Sequence, residues 1–598
     1  MKIKVSEYIA DFLIEHNIDT VFTVTGGGAM HLNDSLGHKQ GLKCIYNHHE
    51  QACAMAAESY TRLSRKLAAV CVTSGPGGTN AMTGVLGGWL DSIPMFVISG
   101  QVKRETTIWS TEVPLRQLGD QEYNIVASVT PMTKYAKMIV ETNEVAYHLE
   151  KALYLCKKGR GGPVWLDIPL DIQASIIETD VLIHFDQKEY AEEIPPKVDF
   201  ALVEEVINKI KAAKRPLIIA GSAIRLAGAH GEFIELIDKL QIPVVTAWNA
   251  QDNLWNEHPL YCGRPSTVGT RGGNFVVENS DLIISLGCRL NIRQISYNYK
   301  NFAKLAYKIF VDIDKAELDK PTLSPNMKVH ADVKNFMTQL LKIDFINESK
   351  EQRDWLQWCR NINTKYPVDL PSYYEKNTPV NPYVFMHKLF EELKENDVIV
   401  ASNGSACVCA FQAAYLKKGQ RLYTNSGCAS MGYGLPAAFG ASVARKCDRV
   451  ICLEGDGSLQ MNIQELQTVI HHNANIKIFV LNNNGYHSIR QTQTNIFKGP
   501  LVGVSGESGI SFPKHEKIAK AYGFTYFRID QVDNINESIR ESVNAEGPVY
   551  CEVVLDITQN FAPKLSSKVM PDGTIVSPPI DDMFPFLNKE EYNSNKLQ

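Results

Sequence analysis

Strand-length apolar runs alternate with segments of helical period along nearly the whole chain, and this rhythm restricts the fold more than any other feature. Ser6–His16 has the spacing of an amphipathic helix, and Thr20–Val24 reads as a strand that runs into Gly26-Gly27-Gly28. Ala52–Leu63, Ala68–Thr73, Thr79–Asp91 and Met95–Ser99 continue as helix, strand, helix and strand. Such an alternation predicts parallel, buried sheets with helices on both faces. Ligands of these sheets bind at the carboxyl ends of the strands.

The alternation falls into three blocks. The first closes near Pro163–Pro169, and the polar stretch Gln187–Val198, with Pro195-Pro196, reads as a linker. The second opens on Pro216–Gly221, continues through Pro243–Thr246 and Asp281–Ser285, and has its last clear strand at Lys308–Asp314. A charged, aromatic stretch over 340–378 reads as a helical connector. The third block runs from Val398–Ala401 to Val549–Val554, and little periodicity follows. The expected division is 1–180, 198–345, a connector at 346–378, 379–560, and a tail at 561–598. No short-period repeat is visible.

Composition narrows the class. Of 598 residues, 44% are hydrophobic and 21% charged, the balance of an ordinary globular protein. A net charge of −5 gives no reason to expect nucleic acid or an anionic membrane as a partner. The longest apolar runs, such as Leu217–Ala220 and Ile478–Leu481, are strand-sized, so no membrane span is expected. The thirteen cysteines are scattered, without paired CxxC motifs at zinc spacing. Together with a charged N-terminus, Met1–Glu7, they lead us to expect reduced thiols and a cytoplasmic location.

The most informative local pattern lies in the third block. Val450–Leu453 is a buried-strand run, and Gly455-Asp456-Gly457-Ser458 reads as a tight turn after it. Met461–His472 carries Ile463, Leu466, Val469 and Ile470 at helical spacing. The next strand, Ile476–Leu481, ends in Asn482-Asn483-Asn484-Gly485-Tyr486. Both turns fall at carboxyl ends of strands, so Asp456 and Asn483 can converge on one ion. A carboxylate, an amide oxygen and a main-chain carbonyl, with two phosphate oxygens, suit octahedral Mg²⁺. The glycines let backbone N–H groups approach a phosphate above a helix N-terminus. A Gly-Asp-Gly standing alone is more often an ordinary glycine turn.

Here it does not stand alone. Asn483 follows Asp456 by 27 residues. Gly455-Asp456-Gly457 with Asn482-Asn483 resembles the fingerprint of thiamine-diphosphate enzymes, a Gly-Asp-Gly and then a double Asn about 24–28 residues on. Thr73–Asn80, Asp91–Met95, Ser99–Val102 and Ser458–Leu466 resemble the large subunit of acetolactate synthase within that family. The resemblance implies three doubly wound α/β domains: pyrimidine-binding, central Rossmann-like and diphosphate-binding. It also implies that thiamine diphosphate and Mg²⁺ are bound, with Asp456, Asn483 and the Gly485 carbonyl on the metal. Gly455, Gly457, Ser458 and Tyr486 are then cofactor contacts, as is Gly27 in the first block. Met431 matches the wedge that bends the cofactor, and Ala429 the carbonyl facing its pyrimidine amino group.

The cofactor must lose the proton on its thiazolium C2, and its own aminopyrimidine serves as the base. A carboxyl group hydrogen-bonded to the pyrimidine ring switches that ring to its imino form. Glu50, in His49-Glu50-Gln51-Ala52, matches this position. A Glu at a helix start is otherwise a favourable dipole partner. Gln121, in a segment resembling the family's active-site glutamine, is a second catalytic candidate. Glu50 and Asp456 lie in different blocks. The family builds its site across a subunit interface, which implies a homodimer or a dimer of dimers.

Three positions separate this chain from acetolactate synthases. Leu170 stands where they have a lysine, and Thr492 where they have a tryptophan favouring 2-ketobutyrate. Arg289 matches an arginine near FAD and the acceptor carboxylate, but Asn291-Ile292-Arg293 replaces the acidic pair after it. FAD is therefore left open. The activity implied is decarboxylation of pyruvate or a related 2-oxo acid and addition of the carbanion to a carbonyl acceptor, either a 2-oxo acid or a larger carbonyl such as a sugar. The alternatives are a plain decarboxylase releasing aldehyde, and a non-enzymatic regulatory homologue. The only adjacent histidines of the first block, His48-His49, precede Glu50 rather than follow it, which counts against the decarboxylase. Intact Glu50, Asp456 and Asn483 count against the regulatory homologue.

Overall fold

The computed structural model describes every residue except 194, 196, 447, 570, 571 and 598. Three parallel sheets carry the fold. The first holds β1 (Thr20–Thr23), β2 (Lys43–Tyr46), β3 (Ala69–Val72), β4 (Met95–Gln101), β5 (Tyr135–Met138) and β6 (Pro163–Pro169). The central one holds β7 (Pro216–Ala220), β8 (Val244–Thr246), β9 (Leu282–Leu286), β10 (Tyr307–Asp312) and β11 (Met327–His330). The third holds β12 (Val398–Ala401), β13 (Arg421–Tyr423), β14 (Val450–Gly455), β15 (Ile476–Asn482), β16 (Thr525–Ile529) and β17 (Val549–Val554).

The strand orders are β2-β1-β3-β4-β6-β5, β8-β7-β9-β10-β11 and β13-β12-β14-β15-β17-β16. The first and third sheets thus share one topology. All three reverse direction at the same place, between the first strand and the third. A crevice opens at such a reversal, beyond the strand ends.

Four helices position the site: α1 (Glu50–Ser64), α2 (Pro76–Asp91), α3 (Ser405–Ala413) and α4 (Gly434–Ala444). α1 and α4 pack tightly because small residues line both. A Cβ on Gly440 would stand 2.1 Å from the Ala56 carbonyl oxygen, and one on Gly84 of α2 would stand 2.5 Å from the Ala54 Cβ. The Ala-rich face of α1 and the Leu435–Ala441 face of α4 belong to one apolar core shared by the first and third units. At its polar edge Arg62 donates to Glu58 and to Asp91, and Tyr433 donates to Glu58. Opening a buried ion pair of this kind costs about 3–5 kcal/mol.

The structure departs from the sequence reading in several places. The Gly455–Ser458 segment is no simple turn: Gly455 ends β14, and a single helical turn, Asp456–Leu459, begins at once. The helix expected over 461–472 spans Glu465–His471. The central sheet gains a strand beyond Lys308–Asp314, namely β11. The connector, by contrast, holds a helix as read, Lys350–Lys365. Pro196 of the expected linker lies outside the described residues. The segment before it is anchored, since Glu150 accepts from the Phe185 backbone and the Lys151 ammonium lies 5.0–5.8 Å from four aromatic rings. Among the described residues no helix is long and apolar enough to cross a membrane, and every cysteine is unpaired.

Candidate active site

In the third sheet the register sets Gly455 opposite Leu481, so Asp456 and Asn483 leave neighbouring strands at nearly the same height. Asp456 is 1% exposed and Asn483 5%. Asp456 Oδ1 accepts the Gly457 N–H and Oδ2 the Gly485 N–H, each at 2.9 Å. Burial pushes the Asp456 carboxyl up to about 7. A divalent cation would reverse that effect. Arg490 shapes the Asn483 loop by donating to the Asn483 carbonyl at 3.0 Å and the Asn484 carbonyl at 2.7 Å.

Asn483 Nδ2 donates to Ser405 Oγ at 3.3 Å, yet its Oδ1 is buried without a partner. An unpaired buried amide oxygen is costly, and a cation beside Asp456 would satisfy it. No group of three His, Cys, Asp or Glu side chains is placed to hold a metal among the described residues. A cation here would draw on one carboxylate, the Asn483 amide oxygen and a backbone carbonyl, leaving positions that phosphate or water oxygens can fill. The surroundings suit a phosphate: Ser402, at the end of β12, and Gly455, at the end of β14, flank the reversal, and α3 begins at Ser405 beside them. Gly404, with φ +64°, faces open space where a Cβ would project.

The other predicted residues of this loop pair are present, with differing roles. A Cβ on Gly457 would come within 2.3 Å of the Tyr486 ring. Gly485 has φ +140°, and a Cβ there would stand 1.9 Å from the Val504 carbonyl oxygen, so only glycine fits. The Ser458 hydroxyl faces the scaffold, with Ser402 Oγ and the Gly432 N–H each at 2.8 Å. Met431 is half-buried on the loop that leads into α4. The Ala429 backbone has φ +52°, and its carbonyl accepts from Asn403 Nδ2 at 2.5 Å.

The first sheet presents its own crevice. Gly26–Gly28 leaves β1, and Gly28 N donates to Thr73 Oγ1 beyond β3 at 3.0 Å. Gly27 is exposed with nothing within 4 Å of a Cβ position. Glu50 opens α1, 9% exposed, and its Oε2 accepts from Asn80 Nδ2 of α2 at 2.9 Å. The turn before it is held from the third unit: Glu465 accepts from Asn47 Nδ2 and from the His48 backbone, each at 3.0 Å. Gln121 is exposed with φ +61°, and its carbonyl lies 2.4 Å from where a Gly75 Cβ would be. Glu122 shapes that loop by accepting three backbone N–H groups, from Ile108, Leu118 and Gly119. Among the described residues the Glu50 carboxylate has its hydrogen-bond partner in its own unit, and nothing links it to the Asp456 loop.

Arg289 belongs to neither crevice. It lies at the central reversal, on the wall of a 410 Å³ cavity, and donates to the Leu90 carbonyl at 3.2 Å. Gly287 also lines the cavity, and the backbone behind it is tightly packed: a Cβ on Gly221 would stand 2.0 Å from the Gly287 carbonyl oxygen.

Comparison with known proteins now bears on these crevices. Residues 3–122 match the N-terminal thiamine pyrophosphate (TPP) binding domain of thiamine pyrophosphate enzymes, 203–340 their central domain, and 402–553 their C-terminal TPP binding domain. A probable acetolactate synthase large subunit of Methanococcus aeolicus is 30% identical over 96% of this chain and 95% of its own length. The chain belongs to the thiamine pyrophosphate enzyme family. It is an enzyme, and thiamine diphosphate (the same molecule) is its cofactor. Other relatives of this thiamine-diphosphate enzyme are the acetolactate synthase isozyme 1 large subunit of Escherichia coli, 29% identical over 93% of this chain and 95% of its own length, and the Lactococcus lactis acetolactate synthase large subunit, 29% over 95% and 96%.

Sequence reasoning passed over several residues of this site. Asn80 and Arg490 sit inside stretches already singled out, but what they hold depends on the folded contacts with Glu50 and with the Asn483 and Asn484 carbonyls. Asn403, Gly404 and Ser405 carried a readable signal, a polar glycine turn directly after a buried strand.

Proposed function

We propose that this enzyme is a Mg²⁺-dependent carboligase of acetolactate-synthase type. It decarboxylates pyruvate or a related 2-oxo acid and adds the resulting carbanion to a carbonyl acceptor, a 2-oxo acid or a larger carbonyl such as a sugar. The carboligase reading is supported by the likeness to acetolactate synthase large subunits along nearly the whole chain, and its Mg²⁺ dependence by the unpartnered, buried Asn483 Oδ1 beside Asp456, with the Gly485 carbonyl on the same loop. That donor set fits Mg²⁺ holding a diphosphate. Bound thiamine diphosphate supplies a nucleophilic carbon and an electron sink.

The protein's part is positioning and proton handling. Gly455, Gly457, Ser458 and Tyr486 shape the diphosphate pocket. Gly27 offers a close backbone approach, Ala429 its carbonyl, and Met431 an apolar wedge. Glu50 holds a proton against the pyrimidine ring, with Asn80 fixing its carboxylate, and Gln121 faces the substrate. Leu170 and Thr492 leave room and remove a cation, which favours an acceptor other than 2-ketobutyrate. The first and third crevices are completed across two copies of the chain, in a dimer or a dimer of dimers in the cytoplasm. We divide the chain into domains at 1–180, 198–345 and 379–560, with a connector at 346–378 and a tail at 561–598.

FAD, if bound, would occupy the cavity at the central reversal, whose lining includes Arg65, Lys157, Arg289 and Asp312, the last residue of β10. The chemistry is redox-neutral, so FAD there would be structural. A visible spectrum of the purified protein decides it.

The function is tested by supplying pyruvate, Mg²⁺ and thiamine diphosphate, with and without added aldehydes and ketosugars, and identifying products by mass. A coupled product, acetolactate or an acetyl-branched acceptor, is expected. Acetaldehyde alone would overturn the carboligase. Glu50→Gln should still bind cofactor but lose turnover, and near-normal turnover would remove Glu50 from its role.

A further inference from the structure

We infer that Asp91 and Asn249 are positioning residues that set the cofactor loop 424–431 from outside its own unit. The inference rests on the proposed reading of Ala429 and Met431 as pyrimidine contacts. Asp91 is the last residue of α2 in the first unit, and Asn249 follows β8 in the central unit. Asp91 Oδ1 accepts the Gly427 N–H at 2.8 Å. Asn249 makes a two-point backbone match to Thr424, donating to its carbonyl at 2.8 Å and accepting its N–H at 3.2 Å. The two clamps also meet each other, with Asn249 Nδ2 3.5 Å from Asp91 Oδ2.

The contact is too close to be incidental. A Cβ on Gly427 would stand 2.6 Å from the Leu90 Cβ and 2.8 Å from Asp91 Oδ1. Asp91 cannot swing away, because Arg62 Nη2 donates to its Oδ2 at 2.7 Å and is itself held by Glu58. Both side chains of that pair are under a tenth exposed. Within the loop, Ala429 N donates to the Asn425 carbonyl and Asn425 Nδ2 to Ser430 Oγ, each at 2.7 Å. The loop is therefore pinned at Thr424 and Gly427 by two other units, and at Ala429 and Gly432 by its own. Ala429 takes a left-handed backbone between those pins. Its carbonyl direction, and the Met431 side chain two residues on, follow from where Gly427 is held. A displacement of about 1 Å in such a group costs on the order of a hundredfold in rate.

The experiment uses holoenzyme and reads exchange of the cofactor's C2 proton with deuterated water, which needs no substrate. Asp91→Ala should slow exchange about tenfold or more relative to wild type, with far-UV dichroism and size unchanged. Asp91→Asn keeps an oxygen for the Gly427 N–H but loses the ion pair that fixes the side chain, and should slow exchange less than Asp91→Ala does. Asn249→Ala leaves the buried ion pair intact and should slow exchange in the same way, which keeps the test available if Asp91→Ala does not fold. Wild-type exchange in Asn249→Ala, or Asp91→Asn falling as far as Asp91→Ala, would overturn the clamp. Met431→Ala separates the two levels. Exchange at the wild-type rate in that variant would remove the reading of the loop itself, whereas slowed exchange there with unaffected Asp91→Ala would remove only the clamp.

Discussion

Replacing Asp456 by Asn tests the diphosphate end of the site while keeping the shape of the side chain. Its two carboxylate oxygens each accept one backbone N–H, from Gly457 and Gly485. An amide has one oxygen, so its NH₂ group must face the other N–H. Losing a hydrogen bond to a charged group costs about 1.5–3 kcal/mol. That is roughly ten- to a hundredfold in an equilibrium constant. The loss falls on the loop that carries Asn483 Oδ1 and the Gly485 carbonyl, and the proposed ion loses its one protein carboxylate as well. The dissociation constant for thiamine diphosphate at saturating Mg²⁺ should rise by at least that factor, and its Mg²⁺ dependence should weaken. Calorimetric titration of apoenzyme at high and trace Mg²⁺ measures both. Parent-like affinity with parent-like Mg²⁺ dependence would mean that Asp456 does not hold the metal.

Two further substitutions probe the scaffold. Gly440→Ala places a methyl 2.1 Å from the Ala56 carbonyl oxygen. It should lower stability by about 1–3 kcal/mol in denaturant unfolding, and an unmoved midpoint would refute the close packing of α1 on α4. Asp167, fully buried between Ser99 and Gln101, has its carboxyl pushed up to about 7 by burial, from an ordinary value of 3.8. Between those values the folded state keeps a proton that the unfolded state has lost, so this group's contribution to stability falls as pH rises through that window. Asp167→Asn does not titrate and should gain thermal stability relative to the parent as pH rises from about 4 to about 7; a constant gap across that range would rule the effect out.

The alternation of periods made the three sheets legible, because a buried parallel strand must be apolar on both faces and a covering helix on one. The short β11, Met327-Lys328-Val329-His330, escaped because alternating polar residues on an edge strand look like loop. That Asp456 and Asn483 would meet was legible because both follow buried strand runs that pair side by side, so their loops share one sheet edge; that they hold a metal is the proposal. Glu50 was legible through its neighbours His49, Gln51 and Ala52. Asp91 and Asn249 were not, because their role depends on contacts with Gly427 and Thr424, well over a hundred residues away in the chain. The common strand order of the first and third sheets was also hidden, since topology repeats while the residues do not.

That common order bears on stoichiometry. Each chain carries one crevice at Glu50 and one at Asp456, each at the reversal of its own sheet. In any closed ring of copies the two kinds are equal in number, so every pyrimidine-side crevice can find a diphosphate-side partner with none left over. On the proposed roles of Glu50 and Asp456, one cofactor per chain is therefore the expected loading, whatever the number of copies.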